Sequence, residues 1–205
     1  MNSNLLVWCD LETTGLNAHD VVLEIAVVLT DSDLNELGDF QSLVLSTSPG
    51  LLVRESEYQK EPRAWPGIRP PSHRPCYDAH FESGLIEELK SATHLSDAAT
   101  VERRLLNWLF EFGMHSGVGK LPSGDRPALC GSSVWFDRNY LARDFPSFLG
   151  RLSHTQIDVS TTRRLQKMWA PDLEVPEKKE AHRALPDIRE SIELLRFYRK
   201  VGFIG

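Results

Sequence analysis

The chain has 205 residues, of which 41% are hydrophobic and 25% are charged, and its formal net charge at pH 7 is -6. This composition excludes an intrinsically disordered chain and suffices for one sizeable core. The negative net charge excludes binding of long nucleic acid by bulk electrostatic attraction alone. A role in nucleic-acid chemistry would therefore need local positive charge or a bound metal ion.

The number of cysteines and the hydropathy of the chain bear on its cellular location. The three cysteines, Cys9, Cys76 and Cys130, are odd in number and form no CxxC pair, which argues against a disulfide framework and a zinc cage. No basic segment followed by an apolar stretch opens the chain, and no window approaches the roughly 18 apolar residues of a membrane span. We expect a cytoplasmic protein without membrane association, folded as one domain over residues 1–205.

Three apolar runs at the start of the chain predict strands. The run at 5–9 is short and partly β-branched, the run at 21–29 is rich in Val and Ile, and 43–45 offers a third. Turns at Gly15 and at 30–33 separate them, so the pattern predicts a hairpin-connected meander.

Residues 46–79 lack periodicity and hold six of the twelve prolines together with several basic residues, namely Arg54, Lys60, Arg63, Arg69 and Arg74. A loop of this length in a compact domain is usually functional or disordered. Two interpretations stay open at this stage, a lid that faces the substrate and a mobile surface insertion.

From Gly84 onward the pattern predicts helices that alternate with short strands. In chain order we expect a helix through Leu85 and Leu89, a helix over 101–109 capped by Ser96 and Asp97, a strand over 127–130, a helix over 136–145, a strand over 157–159, a helix over 162–169 and a last helix from Pro186. This order predicts an α/β fold with a mixed central sheet flanked by helices.

Asp10 and Glu12 are the sharpest local feature of the sequence. Residues two apart on a strand point to the same face, so both carboxylates project together where an apolar strand ends. Like charges this close raise each other's pKa unless a cation neutralises them, and a divalent ion with oxygen ligands is the usual cation. Taken alone, such a pair is also typical of a solvated turn.

Two further segments carry acids or a histidine beside predicted helix starts. Asp187 falls in the first turn of the last helix, where the helix dipole favours a carboxylate, and His182 precedes it. Asp137 follows a strand and a turn of small residues. Each alone has a simpler interpretation: a helix-start acid, a structural histidine, a surface aspartate.

Together these segments resemble the DEDDh class of 3′-to-5′ exonucleases and, within it, the oligoribonuclease family. Residues 10–16 (DLETTGL) are similar to the first exonuclease motif, Ser133 with Phe136-Asp137 to the second, and His182-x4-Asp187 to the third. The family-specific stretches that also match are 23–26 (LEIA), 30–31 (TD), 80–85 (HFESGL), 158–161 (DVST) and 187–191 (DIRES). The similarity covers nearly the whole chain in order.

The resemblance implies a ribonuclease-H-like fold and a 3′–5′ exoribonuclease that hydrolyses short single-stranded RNA to nucleoside 5′-monophosphates. It implies two divalent ions, Mg²⁺ or Mn²⁺, whose ligands are Asp10, Glu12, Asp137 and Asp187. It assigns proton abstraction to His182, a wedge against the terminal base to Leu16, and a phosphate pocket to His80, Ser133 and Ser160. It also implies a homodimer, with residues around 154–160 close to the partner's active site.

Three positions depart from the family's pattern. Pro75 stands where a base-stacking Trp is usual, and His154 and Thr155 stand where an aromatic residue and an Arg from the partner usually close the pocket. Trp65 or Tyr77 could substitute for the missing Trp. Alternatives to an oligoribonuclease are an exonuclease of the same chemistry acting on DNA ends or longer single strands, and a non-catalytic binding module. The complete set of four carboxylates with His182 argues against the last.

Overall fold

A five-stranded mixed sheet lies at the centre of the computed structural model, which describes residues 5–44, 74–93, 95–115, 120, 122, 125–179 and 181–204. The strands are β1 (Leu6–Thr13), β2 (Val22–Thr30), β3 (Glu36–Leu43), β4 (Ala128–Gly131) and β5 (Gln156–Asp158). Their order across the sheet is β3-β2-β1-β4-β5. The β1–β2 and β2–β3 pairs are antiparallel, and the β1–β4 and β4–β5 pairs are parallel. The predicted α/β fold with a mixed sheet is confirmed.

The described helices follow the meander and alternate with the last two strands. They are α1 (Arg74–Glu82), α2 (Leu85–Ser91), α3 (Ala98–Glu111), α4 (Trp135–Asp144), α5 (Pro146–Leu149), α6 (Val159–Trp169) and α7 (Ala184–Lys200). Asp97 caps α3 by accepting a hydrogen bond from the backbone N–H of Thr100, as its sequence position predicts.

The alternation of side chains along β1 divides the core between the two faces of the sheet. Val7, Cys9 and Leu11 belong to the cluster on the face that α3, α4 and α5 cover. Trp8 belongs to the cluster on the opposite face, together with Ile188 of α7. Since Asp10 and Glu12 share the parity of Trp8, β1 directs both carboxylates towards the face covered by α7.

The third predicted strand is displaced in the structure. It occupies Glu36–Leu43 rather than 43–45, and Val44 forms an isolated bridge with Ser96 instead. This strand lies at the sheet edge and most of its side chains are partly or fully exposed, so hydropathy does not identify it.

Three other boundaries also differ from prediction. Helix α1 begins at Arg74, so the loop predicted over 46–79 is wrong from 74 to 79, and the rest of it, 46–73, lies outside the described residues. Strand β5 ends at Asp158, and α6 follows at once because the Asp158 carboxylate accepts the backbone N–H of Ser160. Helix α7 begins at Ala184; Pro186 is tolerated in its first turn because an N–H there has no partner within the helix.

Gly131 permits the close approach of β4 to β1. A Cβ atom at this position would lie 2.9 Å from the carbonyl oxygen of Cys9 and 3.2 Å from a methyl group of Val134. The absence of a side chain therefore lets β4 end beside Asp10. The segment that follows β4 begins at the same edge of the sheet as the two acids.

Among the described residues, no helix combines the length and the hydropathy that a bilayer crossing requires.

Candidate active site

Three carboxylates converge where β1 meets the start of α7. Each of Asp10, Glu12 and Asp187 offers one oxygen, and these oxygens all lie within 4.8 Å of one another. Strand β1 supplies two of them on one face, and the first turn of α7 supplies the third. The structure thus brings together, from opposite ends of the sequence, three of the four acids expected to bind metal.

Asp137 lies beside this group but outside its mutual 4.8 Å distance. It sits in the first turn of α4 and is only 4% exposed. Its Oδ1 accepts a hydrogen bond from the backbone N–H of Leu11, at 3.0 Å. This bond attaches α4 to β1 at Leu11, the residue between Asp10 and Glu12.

Burial raises the pKa of all four acids, and repulsion within the group raises that of Asp10 and Glu12 further. Burial is the largest cause of the raised pKa of Asp10. The negative charges of Asp137, Glu12 and Asp187 raise it further. Burial, followed by the charge of Asp187, raises the pKa of Glu12 to about 8. Burial outweighs the Leu11 hydrogen bond and raises the pKa of Asp137 to about 8. Burial is also the largest cause of the raised pKa of Asp187.

These acids fit a divalent cation. Four clustered carboxylates, three of them buried, cannot all ionise without a counter-charge, and oxygen-only donor sets are what Mg²⁺ and Mn²⁺ prefer. In addition, the buried Oδ1 atom of Asp187 has no hydrogen-bond partner among the described residues. A cation bound between these side chains would satisfy both the charge and this oxygen.

Lys178 supplies positive charge near the acids, which no sequence pattern predicts. It is an exposed residue of the segment before α7, and its charge lowers the pKa of Asp10, Glu12 and Asp187. No regular periodicity marks this polar segment, so its proximity to the acids depends on tertiary structure.

His80, which the resemblance assigns to the phosphate pocket, is buried beside Glu12. Its side chain is fully buried, its Nε2 lies 2.8 Å from the carbonyl oxygen of Thr13, and its Nδ1 lies 3.5 Å from Oε2 of Glu12. Burial lowers its pKa. The side chain is therefore packed in the core beside the carboxylate of Glu12.

His182 and Ser133 have unusual backbone conformations. Their φ angles are 50° and 56°, in the left-handed region that residues other than glycine seldom adopt. Such conformations cost about 1–3 kcal/mol each and cluster at functional sites. His182 precedes α7 by two residues, and its charge lowers the pKa of Asp187, against the larger effect of burial. The predicted base thus lies next to the predicted metal ligands.

Ser133 and Ser160 line the same pocket. Their hydroxyl oxygens are 3.2 Å apart, and the backbone N–H groups of both residues donate to Oδ1 of Asp158, at 3.0 and 2.9 Å. The pocket has a volume of about 670 Å³, and Arg163 and Lys178 also line it. Hydroxyl groups and cationic side chains suit a phosphate group. Three glutamates also line this pocket, and none of the four acids described above does.

Leu16 is half exposed on a loop that α4 holds in place. The hydroxyl of Tyr140 lies 3.0 Å from the carbonyl oxygen of Gly15 and 2.9 Å from that of Asn17. Arg143 stacks over the Tyr140 ring and donates from Nη1 to two further carbonyl oxygens of the loop. An apolar side chain is therefore presented to solvent on a well-anchored backbone.

Comparisons with known proteins agree with this geometry. The family model described as Exonuclease matches residues 7–56. The chain is 35% identical over 203 residues to a probable oligoribonuclease of Dictyostelium discoideum, covering 98% of this chain and 92% of that protein. It is 36% identical over 202 residues to an oligoribonuclease of Streptomyces griseus, covering 97% and 87% respectively. The chain belongs to the oligoribonuclease family.

Solved structures support the fold of this oligoribonuclease family member. Exonuclease I of E. coli, in a zinc-bound complex with single-stranded DNA, superposes with a TM-score of 0.55 at 17% identity. Exonuclease I of Methylocaldum szegediense superposes with a TM-score of 0.56 at 18% identity. Both alignments cover 96% of this chain but only 40% of the other, so the chain spans less than half of either protein. The predicted ribonuclease-H-like exonuclease fold is confirmed.

The positions that depart from the oligoribonuclease pattern are only partly described. The side chains of Pro75 and Tyr77, and the whole of Trp65, lie outside the described residues. His154 is exposed, and the Thr155 hydroxyl lies 2.8 Å from that of Ser153 in its own chain.

Proposed function

We propose that this chain is a metal-dependent 3′–5′ exoribonuclease that hydrolyses short single-stranded RNA to nucleoside 5′-monophosphates. The convergence of Asp10, Glu12 and Asp187 beside Asp137, with His182 two residues before α7, is the observation that carries the proposal. Family membership supports the choice of short RNA as substrate. We further propose a cytoplasmic location and a single exonuclease domain over residues 1–205.

Two divalent ions, Mg²⁺ or Mn²⁺, are proposed to bind to the four carboxylates. When bound, such ions stabilise the charge that develops on the phosphate and lower the pKa of water. His182 accepts the proton of the attacking water, because an imidazole titrates near neutrality and this side chain lies next to the metal ligands.

The substrate is proposed to lie between the pocket and the Leu16 loop. The hydroxyls of Ser133 and Ser160 donate to phosphate oxygens of the substrate. Leu16 packs against the terminal base from the other side. His80 is proposed to hold the Glu12 carboxylate in place, because its Nδ1 lies 3.5 Å from Oε2 of Glu12.

A chain-length series of 5′-labelled RNA and DNA oligomers, digested with Mg²⁺, tests the proposed function. Stepwise shortening of short RNA from the 3′ end is the expected result. A stronger reaction on DNA or on long strands would replace RNA oligomers as the substrate class. Binding of every oligomer without shortening would establish a non-catalytic binding module.

We expect weak selectivity for dinucleotides. A stacked aromatic residue contributes about 1–3 kcal/mol per base, and Pro75, His154 and Thr155 replace groups that would close a pocket on the shortest substrates. A longer strand recovers affinity through contacts elsewhere. The kcat/KM values for RNAs of two and seven nucleotides measure this. A dinucleotide advantage above about 100-fold, or roughly 2.7 kcal/mol, would show that another side chain closes the pocket.

We also propose a homodimer. Met168 and Trp169, at the end of α6, are exposed and form an apolar surface. A partner subunit could cover this surface. Light scattering at micromolar concentration should give a mass near twice the 23.2 kDa of the chain. A monomeric mass would reject the dimer without affecting the proposed chemistry.

A further inference from the structure

Glu24 is a fully buried acid that lies next to the cluster of candidate metal ligands but is not one of them. It is the cross-strand partner of Glu12 in the β1–β2 pair. Its two oxygens are occupied by donors from other elements. Oε1 accepts from Nη2 of Arg183 at 2.8 Å and from Nε2 of Gln41 at 2.6 Å, and Oε2 accepts from the backbone N–H of Ala184 at 2.9 Å. Glu24 therefore faces the start of α7 rather than the metal ligands.

Arg183 is bound to Glu24 through two of its nitrogen atoms. Besides Nη2, its Nε lies 3.3 and 3.2 Å from the two Glu24 oxygens, so the contact is two-pronged and resists rotation. Nη2 also donates to Glu88 of α2 at 2.7 Å. Strand β2 and helix α2 thus both hold this arginine, which immediately follows His182.

The same contact fixes the residues on both sides of Arg183. The N–H of Ala184, the first residue of α7, donates to Glu24, and the carbonyl oxygen of Arg183 accepts the N–H of Asp187 at 3.1 Å. His182 adopts the left-handed φ of 50°, a conformation that persists only where the surrounding structure determines it. A fixed residue directly after His182 provides that constraint.

We propose that Glu24 is a positioning residue that holds His182 in place for catalysis through its two-pronged contact with Arg183. The inference rests on the proposed role of His182 in the exonuclease reaction. Glu24 touches neither substrate nor metal in this arrangement. Its removal acts on the geometry of the base, and a displacement of about 1 Å at a reacting group can cost about 100-fold in rate.

Glu24→Gln tests the proposal because it retains the shape of the side chain and removes the charge that holds Arg183. We expect kcat on a short RNA to fall by about 10- to 100-fold and KM to change by less than about threefold. Calorimetric Mn²⁺ binding should be retained. The matched control is Glu36→Gln, which removes a carboxylate from Arg189 of α7 and leaves the contact between Glu24 and Arg183 intact. It should leave kcat within about twofold.

The decisive measurement repeats Glu24→Gln in the His182→Ala background. If Glu24 acts through His182, the substitution should lower the residual rate of that background by less than about twofold, because the group it positions is already gone. A fall in kcat equal to that seen in the wild-type background would overturn the proposal, since it would show a general structural effect. Unchanged kcat for Glu24→Gln with His182 present would overturn it as well.

Arg183→Lys provides a second variant if Glu24→Gln does not fold. Lysine keeps the positive charge but cannot make the two-pronged contact, so the same dependence on His182 is expected. The proposed exonuclease function has its own test. It is contradicted if the wild-type chain does not shorten RNA, and the role of His182 as the base is contradicted if His182→Ala leaves kcat unchanged. This inference alone fails if His182→Ala is slow while Glu24→Gln and Arg183→Lys are as fast as wild type.

Discussion

Asp10→Asn and Asp187→Asn should each lower the rate of RNA hydrolysis by about 1,000-fold or more while leaving the fold intact. Each removes a charged oxygen from the group that we propose binds the catalytic ions, which supply several kcal/mol of transition-state stabilisation. The asparagines also relieve repulsion among buried acids, so the melting temperature in chelator should stay the same or rise. Initial rates over a Mg²⁺ titration and thermal melts in excess chelator measure the two effects.

The exposed Asp172 provides a matched control, because Asp172→Asn makes the same chemical change at a residue outside the cluster of candidate metal ligands. It should retain the wild-type rate. Full turnover by the wild-type chain in excess chelator would contradict metal dependence altogether. Loss of the folded state in both site variants would mean that the acids are needed for folding rather than for catalysis.

His182→Ala should lower kcat by about 10²–10⁴-fold, the usual contribution of a positioned general base. Mn²⁺ binding should survive, since the three converging oxygens all come from carboxylates and His182 is not a ligand in the proposed arrangement. Single-turnover rates at saturating RNA and calorimetric metal titration separate the two properties.

His115→Ala is the corresponding control. This imidazole lies against Phe110 at the end of α3, and its removal should change kcat by less than about twofold. If metal binding disappears together with activity in His182→Ala, His182 is a ligand and the assignment of the base is wrong.

The sequence predicts those parts of the site that depend on local periodicity. The two-residue period of β1 places Asp10 and Glu12 on one face, and the position of Asp187 in a first helical turn follows from the pattern of α7. The convergence of the two segments follows from the family resemblance and not from either pattern alone. Motifs separated by more than 170 positions carry no local signal of their proximity.

Contacts between distant elements account for most of what the sequence does not predict. The stretch 23–26 is recognisable as family-like, but nothing local shows that Glu24 binds Arg183, 159 residues later. The burial of His80 beside Glu12 is not predicted either, since a histidine has no hydropathic signature of a core position. Strand β3 is missed because an edge strand needs few apolar side chains.

Helix α4 contacts the end of β1 and the loop after it through residues spaced three apart. Asp137 binds the backbone of Leu11, while Tyr140 and Arg143 bind the loop that carries Leu16. The axial rise of an α-helix sets the distance between the first and last of these residues at about 9 Å. The separation between a carboxylate of the active site and the loop that presents Leu16 is thus a property of main-chain geometry. Substitutions in the surrounding core can displace this helix as a unit, but they change that separation little.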